Sequence, residues 1–242
     1  MLWGAAAVGV ALTAWAAADC FRNEADRGPW LAVILAAPGV GPAVYLLARW
    51  LPPRLGTLRR FGGRRELRRL RWEAETIGNP HQFVRLGEAL LDRRRPAEAR
   101  EAFERAAAAD RGSLPARWGA ARAAYAVEDF ASAREHVGQV LAADERYRFG
   151  DASLLLGRCL NAEGREAEAL LWMTRHVGRW RQPEGLMLLA TIQKDGGLND
   201  AAAGTLRELL GELDHAPPAV ARRHAGLRRR ARRLLRRVES KS

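Results

Sequence analysis

The chain has 242 residues, 48% of them hydrophobic and 28% charged, a balance that excludes disorder of the chain as a whole. Its net charge of +12 is confined to two short segments, 52–72 at +7 and 219–242 at +9, while 1–51 sum to zero and 73–218 carry −4, which excludes a basic nucleic-acid footprint over the whole molecule. Two cysteines, Cys20 and Cys159, exclude a disulfide framework and a CxxC site.

The first elements are two uncharged runs, residues 2–18 and Trp30 to Ala48, with Trp3, Trp15, Trp30, Tyr45 and Trp50 towards their ends. Seventeen to nineteen apolar residues approach the roughly 20 that a membrane helix needs, and aromatic rings favour headgroup depth. Residues 1–53 are therefore expected to form a two-helix transmembrane hairpin. A soluble apolar hairpin and a cleaved signal peptide compete with it, since Ala16-Ala17-Ala18 suits cleavage although no Lys or Arg precedes the first run. The pattern Trp15, Asp19, Arg22, Trp30, Pro38-Gly39-Val40-Gly41 and Tyr45 resembles the N-terminal membrane segment of cardiolipin synthases and other phospholipase D-like proteins. Only anchoring follows from that resemblance, because the His-x-Lys-x4-Asp motifs of those enzymes are missing from the chain.

Residues 54–79 form a basic collar and linker helix, with eight arginines between 54 and 72 against two in the 19–29 loop. That asymmetry places both hairpin ends on the cytoplasmic side, giving an expected multi-pass protein of the bacterial inner membrane with a cytoplasmic C-terminal domain. Arg54, Arg59, Arg60, Arg64 and Arg65 are candidates for anionic lipid headgroups, beside the simpler reading of a solvated positive-inside signal. Gly62-Gly63 is expected to split the collar. Beyond it Leu67, Leu70, Ala74 and Ile77 recur at helical spacing as one apolar seam, which Gly78-Asn79-Pro80 ends.

Internal repetition governs residues 80–215. Phe83, Leu86, Gly87 and Leu90, followed by Ala99, Phe103 and Ala106, resemble the paired helices of a tetratricopeptide repeat. Equivalents of Gly87 fall at Ala121, Gly157 and Ala190, and those of Ala99 at Ala133, Ala169 and Ala202, so about four repeats are expected. Small residues there let the two helices of a repeat cross closely, and Phe103, Val137, Met173 and Leu206 fill the space towards the next repeat. Turns are expected at 94–96, 128–130, 164–166 and 197–199. The closing proline of the family is replaced by Arg111, Glu145, Arg181 and Asp214, and only the first repeat has its leading aromatic. Residues 216–242 read as a basic capping helix with Val220, Leu227, Ala231, Leu234, Leu235 and Val238 inward and nine arginines elsewhere. Anionic lipid, RNA or an acidic protein are the other uses of that charge.

The expected fold is thus all-α: a transmembrane helical hairpin, then a tetratricopeptide-type α-solenoid with a basic C-terminal cap. In layout, though not in motif, the chain resembles HemY-type membrane proteins. No P-loop, G-x-S-x-G, dinucleotide fingerprint or metal-ligand spacing occurs, and His136 and His176 read as surface or interface residues, so a non-enzyme without cofactor or metal is expected. The family resemblance implies a peptide groove lined by the first helix of each repeat. The positions facing it are Trp118, Arg122 and Tyr125, then Leu154, Arg158 and Asn161, then Met187 and Lys194. Trp118 and Tyr125 serve equally as packing residues. Arg122, Arg158 and Lys194 would form a positive stripe for a protein segment bearing acidic side chains or a carboxylate. The function read from the chain is a membrane-anchored scaffold, with a nucleic-acid- or ribosome-associated basic protein as the alternative.

Overall fold

The computed structural model describes residues 12–17, 41–42 and 56–240, all of whose regular elements are helical. Contacts divide the chain into two units, Met1–Glu66 and Leu67–Ser242. Helix α1 spans Gly56–Ile77. It runs unbroken through Gly62-Gly63, because a helix tolerates glycine at about 1 kcal/mol each relative to alanine when strong formers such as Leu and Arg flank it.

One expectation is corrected here. Among the described residues no helix is long and apolar enough to cross a membrane, which overturns the multi-pass inner-membrane localisation. With 22 residues α1 has the length, but seven arginines lie within it. The helices after it have 16 residues or fewer, short of the roughly 20 a span needs. The hairpin proposed for 1–53 otherwise lies outside the described residues.

Leu67, Leu70 and Ala74 are buried against Phe83, Leu86 and Leu90 of the first repeat, so the second half of α1 covers the start of the array. Ile77 departs from the expected seam: it is 58% exposed, because Gly78 turns the chain with a left-handed φ of 68° and donates back to the Ala74 carbonyl. Asn79 then caps the next helix by accepting from the His81 amide at 3.0 Å, with Pro80 in the first turn, where no amide donor is needed.

Four helical hairpins follow: α2 (Pro80–Asp92) with α3 (Pro96–Ala109), α4 (Leu114–Ala126) with α5 (Phe130–Ala143), α6 (Asp151–Ala162) with α7 (Glu166–Trp180), and α8 (Pro183–Asp195) with α9 (Asn199–Asp214). Each turn closes alike. Arg94, Glu128, Gly164 and Gly197 adopt positive φ, and the amide of the following residue reaches back to the carbonyls of Leu90, Ala124, Leu160 and Gln193 at 2.8 to 3.0 Å. This is the closure in which a left-handed residue satisfies the last carbonyls of a helix.

Ala99, Ala133, Ala169 and Ala202 are fully buried at the helix crossings, as are Phe103, Val137, Met173 and Leu206 one turn on. The Phe103 ring is held between Gly87 of α2 and Gly119 of α4, where an added Cβ would come within 2.6 and 2.1 Å of it. Phe103 thereby joins one repeat to the next.

Between α5 and α6 a short turn, Tyr147–Gly150, lengthens the connection. After α9 the expected single cap is two helices, α10 (Pro218–Arg223) and α11 (Ala225–Glu239), meeting at His224. Ala231 and Val238 are buried, and Leu227, Leu234 and Leu235 pack on the same core as α8 and α9. Val220, expected to face inward, is 41% exposed, because the break at His224 takes it out of register with α11. Arg228 and Arg232 pair with Asp214, and Arg207 with Glu239, which ties α11 to α9.

Candidate binding groove

On α4, Trp118, Arg122 and Tyr125 are spaced four and three residues apart and so share a face; Asp151, Leu154, Leu155 and Arg158 do the same on α6. Both faces open onto a cavity of about 700 Å³ that is also lined by Gln182 and Glu184 at the start of α8 and by Arg223 and His224 where α10 ends. The first helices of three successive repeats and the break in the cap thus meet at one place.

Trp118 is 7% exposed and forms the base of the wall. Arg122 stands over its ring at 5.9 Å and Arg148 at 6.0 Å, while Tyr147 meets its edge at 6.1 Å. Burial pushes the Tyr147 hydroxyl pKa up. The Trp118 indole Nε1 is buried and, among the described residues, has no hydrogen-bond partner. Trp118 is therefore at once a packing residue and part of the cavity lining.

The cations of the cavity differ in their pairing. Arg122 donates from one nitrogen to both carboxylate oxygens of Glu88 on α2, at 2.9 and 3.0 Å. Glu184 faces His224 Nδ1 at 3.4 Å, and Asp151 accepts from Gln182 at 3.3 Å and lies 3.9 Å from Arg148. Arg158 and Arg223 have no ion-pair partner among the described residues.

Of the residues expected to face the groove, the cavity gathers Trp118, Arg122, Tyr125, Leu154 and Arg158. Asn161 is half-buried further along α6 and outside it. Met187 is buried in the core between α7, α8 and α9. Lys194 lies away from the cavity and pairs with its neighbour Asp195, so the stripe of three cations reduces to two there, one of them neutralised by Glu88. Among the collar candidates Arg65 is exposed on α1; no side chain of Arg54, Arg59, Arg60 or Arg64 lies within the described set.

Asp151, Leu155, Gln182, Glu184, Arg223 and His224 were not anticipated as lining. Asp151 and Leu155 flank Leu154 on its own helix face, so the same periodicity could have found them. No local signal points to Arg223 and His224, which arrive through the folding of the cap.

Other reactive groups are held inert. His176, at 2% exposure, is a helix-interface residue whose Nδ1 lies 3.0 Å from Ser153 Oγ, and burial holds its pKa below the usual imidazole value. His136 is lowered by burial as well. Cys159 is fully buried and its thiol is pushed up to about 12 by the loss of water. Among the described residues no group of three or more His, Cys, Asp or Glu could hold a metal ion.

Residues 118–184 match the family model described as tetratricopeptide repeat. No curated protein sequence matches the chain. Solved structures do: residues 41 to the end of MamA from Desulfovibrio magneticus RS-1, at 17% identity, cover 66% of this chain and 91% of that one with a TM-score of 0.60. TTC0263, a thermophilic TPR protein in Thermus thermophilus, is 19% identical over 75% and 96% of the two chains, with a TM-score of 0.55. YrrB, a TPR protein with an unusual peptide-binding site, is 18% identical over 58% and 72%, with a TM-score of 0.50. At these identities the likeness establishes the fold. Nothing in the comparisons supports the resemblance of residues 10–50 to the phospholipase D-type segment. The match over 118–184 identifies tetratricopeptide-repeat sequence in the middle of the array, and the solved structures share its helical solenoid fold.

Proposed function

We propose that the cavity formed by α4, α6, the start of α8 and the end of α10 binds an extended segment of a partner protein that carries acidic side chains or a terminal carboxylate. The observation that carries this reading is the pair Arg158 and Arg223, two guanidinium groups on one cavity of about 700 Å³ without an ion-pair partner among the described residues, within an array whose own balance is acidic. A guanidinium left unpaired beside apolar walls favours a carboxylate that it can grip with two hydrogen bonds. Leu154, Leu155 and Tyr125 supply the apolar contact that an extended chain would bury. A peptide-binding site in the neighbour YrrB supports the class of ligand.

The test is fluorescence anisotropy of the full chain with labelled decapeptides that are acidic, neutral or basic. The acidic peptide binds, and Arg158→Glu weakens it about tenfold or more, as loss of a charge-assisted contact does. Equal binding of acidic and neutral peptides, or an unchanged affinity in a variant whose melting curve is intact, overturns the reading.

A second reading rests on α11, where Arg229, Arg230, Arg233, Arg236 and Arg237 are exposed and have no ion-pair partner among the described residues. Such a face suits the phosphates of RNA. Binding of a homopolymeric RNA would then fall steeply with salt and be indifferent to Arg158→Glu. RNA affinity that does not change with salt removes it.

A further inference from the structure

Phe149 is 83% exposed, whereas Phe83 and Phe103 are buried at 5% and 0% and Phe130 packs against Tyr125 at 5.4 Å. Its backbone is unusual as well. Arg148, Phe149 and Gly150 adopt φ of 50°, 53° and 95° in succession, a left-handed run that a bulky side chain enters only under strain. Such strain persists where the surroundings over-determine it, and functional sites are where it collects.

The surroundings here are specific. The Phe149 amide donates to the Arg146 carbonyl at 2.9 Å, and its own carbonyl accepts from Gln182 Nε2 at 3.0 Å. Gly150 lies so near Trp180 that a Cβ would come within 2.6 Å of the indole. Arg148 is spread over the Trp118 ring and Asp151 begins α6, so Phe149 is flanked on both sides by residues engaged with the cavity wall. The extra length of the repeat at this point, 36 residues from Glu128 to Gly164 against 34 and 33 in the others, accommodates this turn.

We propose that Phe149 is a hydrophobic anchor at the mouth of the groove, so that the ligand is amphipathic: a carboxylate for Arg158 and Arg223 and, close by along the same segment, an apolar side chain laid on the Phe149 ring. This rests on the groove reading above and specifies its ligand. Aromatic residues, phenylalanine among them, are enriched in protein interfaces relative to the rest of the surface.

The experiment uses the full chain and three fluorescein-labelled decapeptides, alternating aspartate with leucine, aspartate with serine, and lysine with leucine. The aspartate–leucine peptide binds at least about fivefold more tightly than the aspartate–serine one, the effect of a single aromatic contact. Phe149→Ser abolishes that difference, and Phe149→Leu retains most of it. Phe149→Gly separates anchoring from structure: glycine accepts the left-handed backbone, so the melting temperature holds or rises while the affinity falls. If Phe149→Ser leaves the aspartate–leucine affinity within about twofold of wild type, or if both acidic peptides bind equally in an Arg158-dependent way, the anchor is overturned and the groove stands. If neither acidic peptide binds, both readings fall. If sedimentation shows that Phe149→Ser only dissociates a dimer while peptide binding is unchanged, the ring seats on a second copy and the proposal fails.

Discussion

The first two repeats and the last two share one backbone plan and fill it differently. In the first pair the space between repeats holds Phe103, a rigid ring pressed by glycines from both neighbouring helices, and the hairpin turns place Arg94 and Glu128 in left-handed backbone. In the second pair the equivalent space holds Met173, a flexible thioether against Gly157, and the turns carry Gly164 and Gly197. The array tolerates either a demanding core residue with a strained turn or an adaptable one with a relaxed turn. Repeat architecture fixes where the residues meet, and each repeat settles separately how tightly they meet.

The most direct test of that contrast is to add one methyl group on each side. Gly119→Ala sets a Cβ about 2.1 Å from the Phe103 ring, which Gly87 prevents from retreating, and is expected to cost about 3 kcal/mol; Gly157→Ala sets a Cβ as close to the Met173 sulfur, at 2.1 Å, and 2.9 Å from its Cγ, but the unbranched thioether can re-orient where the ring cannot, so the cost should be about 1 kcal/mol. Urea melts of both variants decide it. Equal costs would break the comparison, and recovery in Gly119→Ala/Phe103→Leu would assign the loss to the ring. Ala133→Leu, at a fully buried crossing, should cost about 1 to 3 kcal/mol by the same overpacking.

The turns make a smaller contrast of opposite sign. Arg94→Gly and Glu128→Gly release a left-handed side chain and should stabilise by up to about 1 kcal/mol, whereas Gly164→Ala and Gly197→Ala, with open space around each, should destabilise by about 1 kcal/mol through φ alone. For a chain of this size that is a shift of about 2 to 4 °C in Tm. No shift in any of the four would mean that the turns adjust without strain.

The smallest expected effect is one of pH. His176 in the third repeat is held below its unfolded pKa of about 6.5 by burial, so the unfolded chain takes up the proton first. The associated stability is complete above that pH and is lost as the pH falls from there through the folded pKa. His136 in the second repeat acts in the same direction. Denaturant midpoints at pH 7.5, 6.5 and 5.5 should therefore decline, and His176→Gln should flatten the decline. A variant as acid-sensitive as wild type would exclude His176 as a source.

Much of the array is legible in the sequence because its determinants are periodic. A small residue every 33 to 36 positions requires a close helix crossing, and the apolar residue four positions beyond the alanine of the second helix must face the next repeat; Ala99 with Phe103 and Ala169 with Met173 obey this. Trp118, Arg122 and Tyr125, which the family resemblance places towards the groove, line the cavity on α4. The reading of the N-terminal runs rests on their lack of charge, the aromatic residues towards their ends and the arginines that follow, and among the described residues no helix is long and apolar enough to cross a membrane.

Residue pattern alone therefore specifies which helix faces turn inward and where each hairpin reverses, since a 3.6-residue period and a turn residue act over a few neighbours. Which cations stay unpaired is settled by packing between repeats. Glu88, 34 residues before Arg122, neutralises it because stacking brings successive first helices into register, while Arg158 on the next helix meets no carboxylate among the described residues. Packing also brings Arg223, at the end of α10, to the cavity. Charge pairing and exposure depend on the distances between elements, and those are set by how repeats stack, which no local pattern of residues encodes.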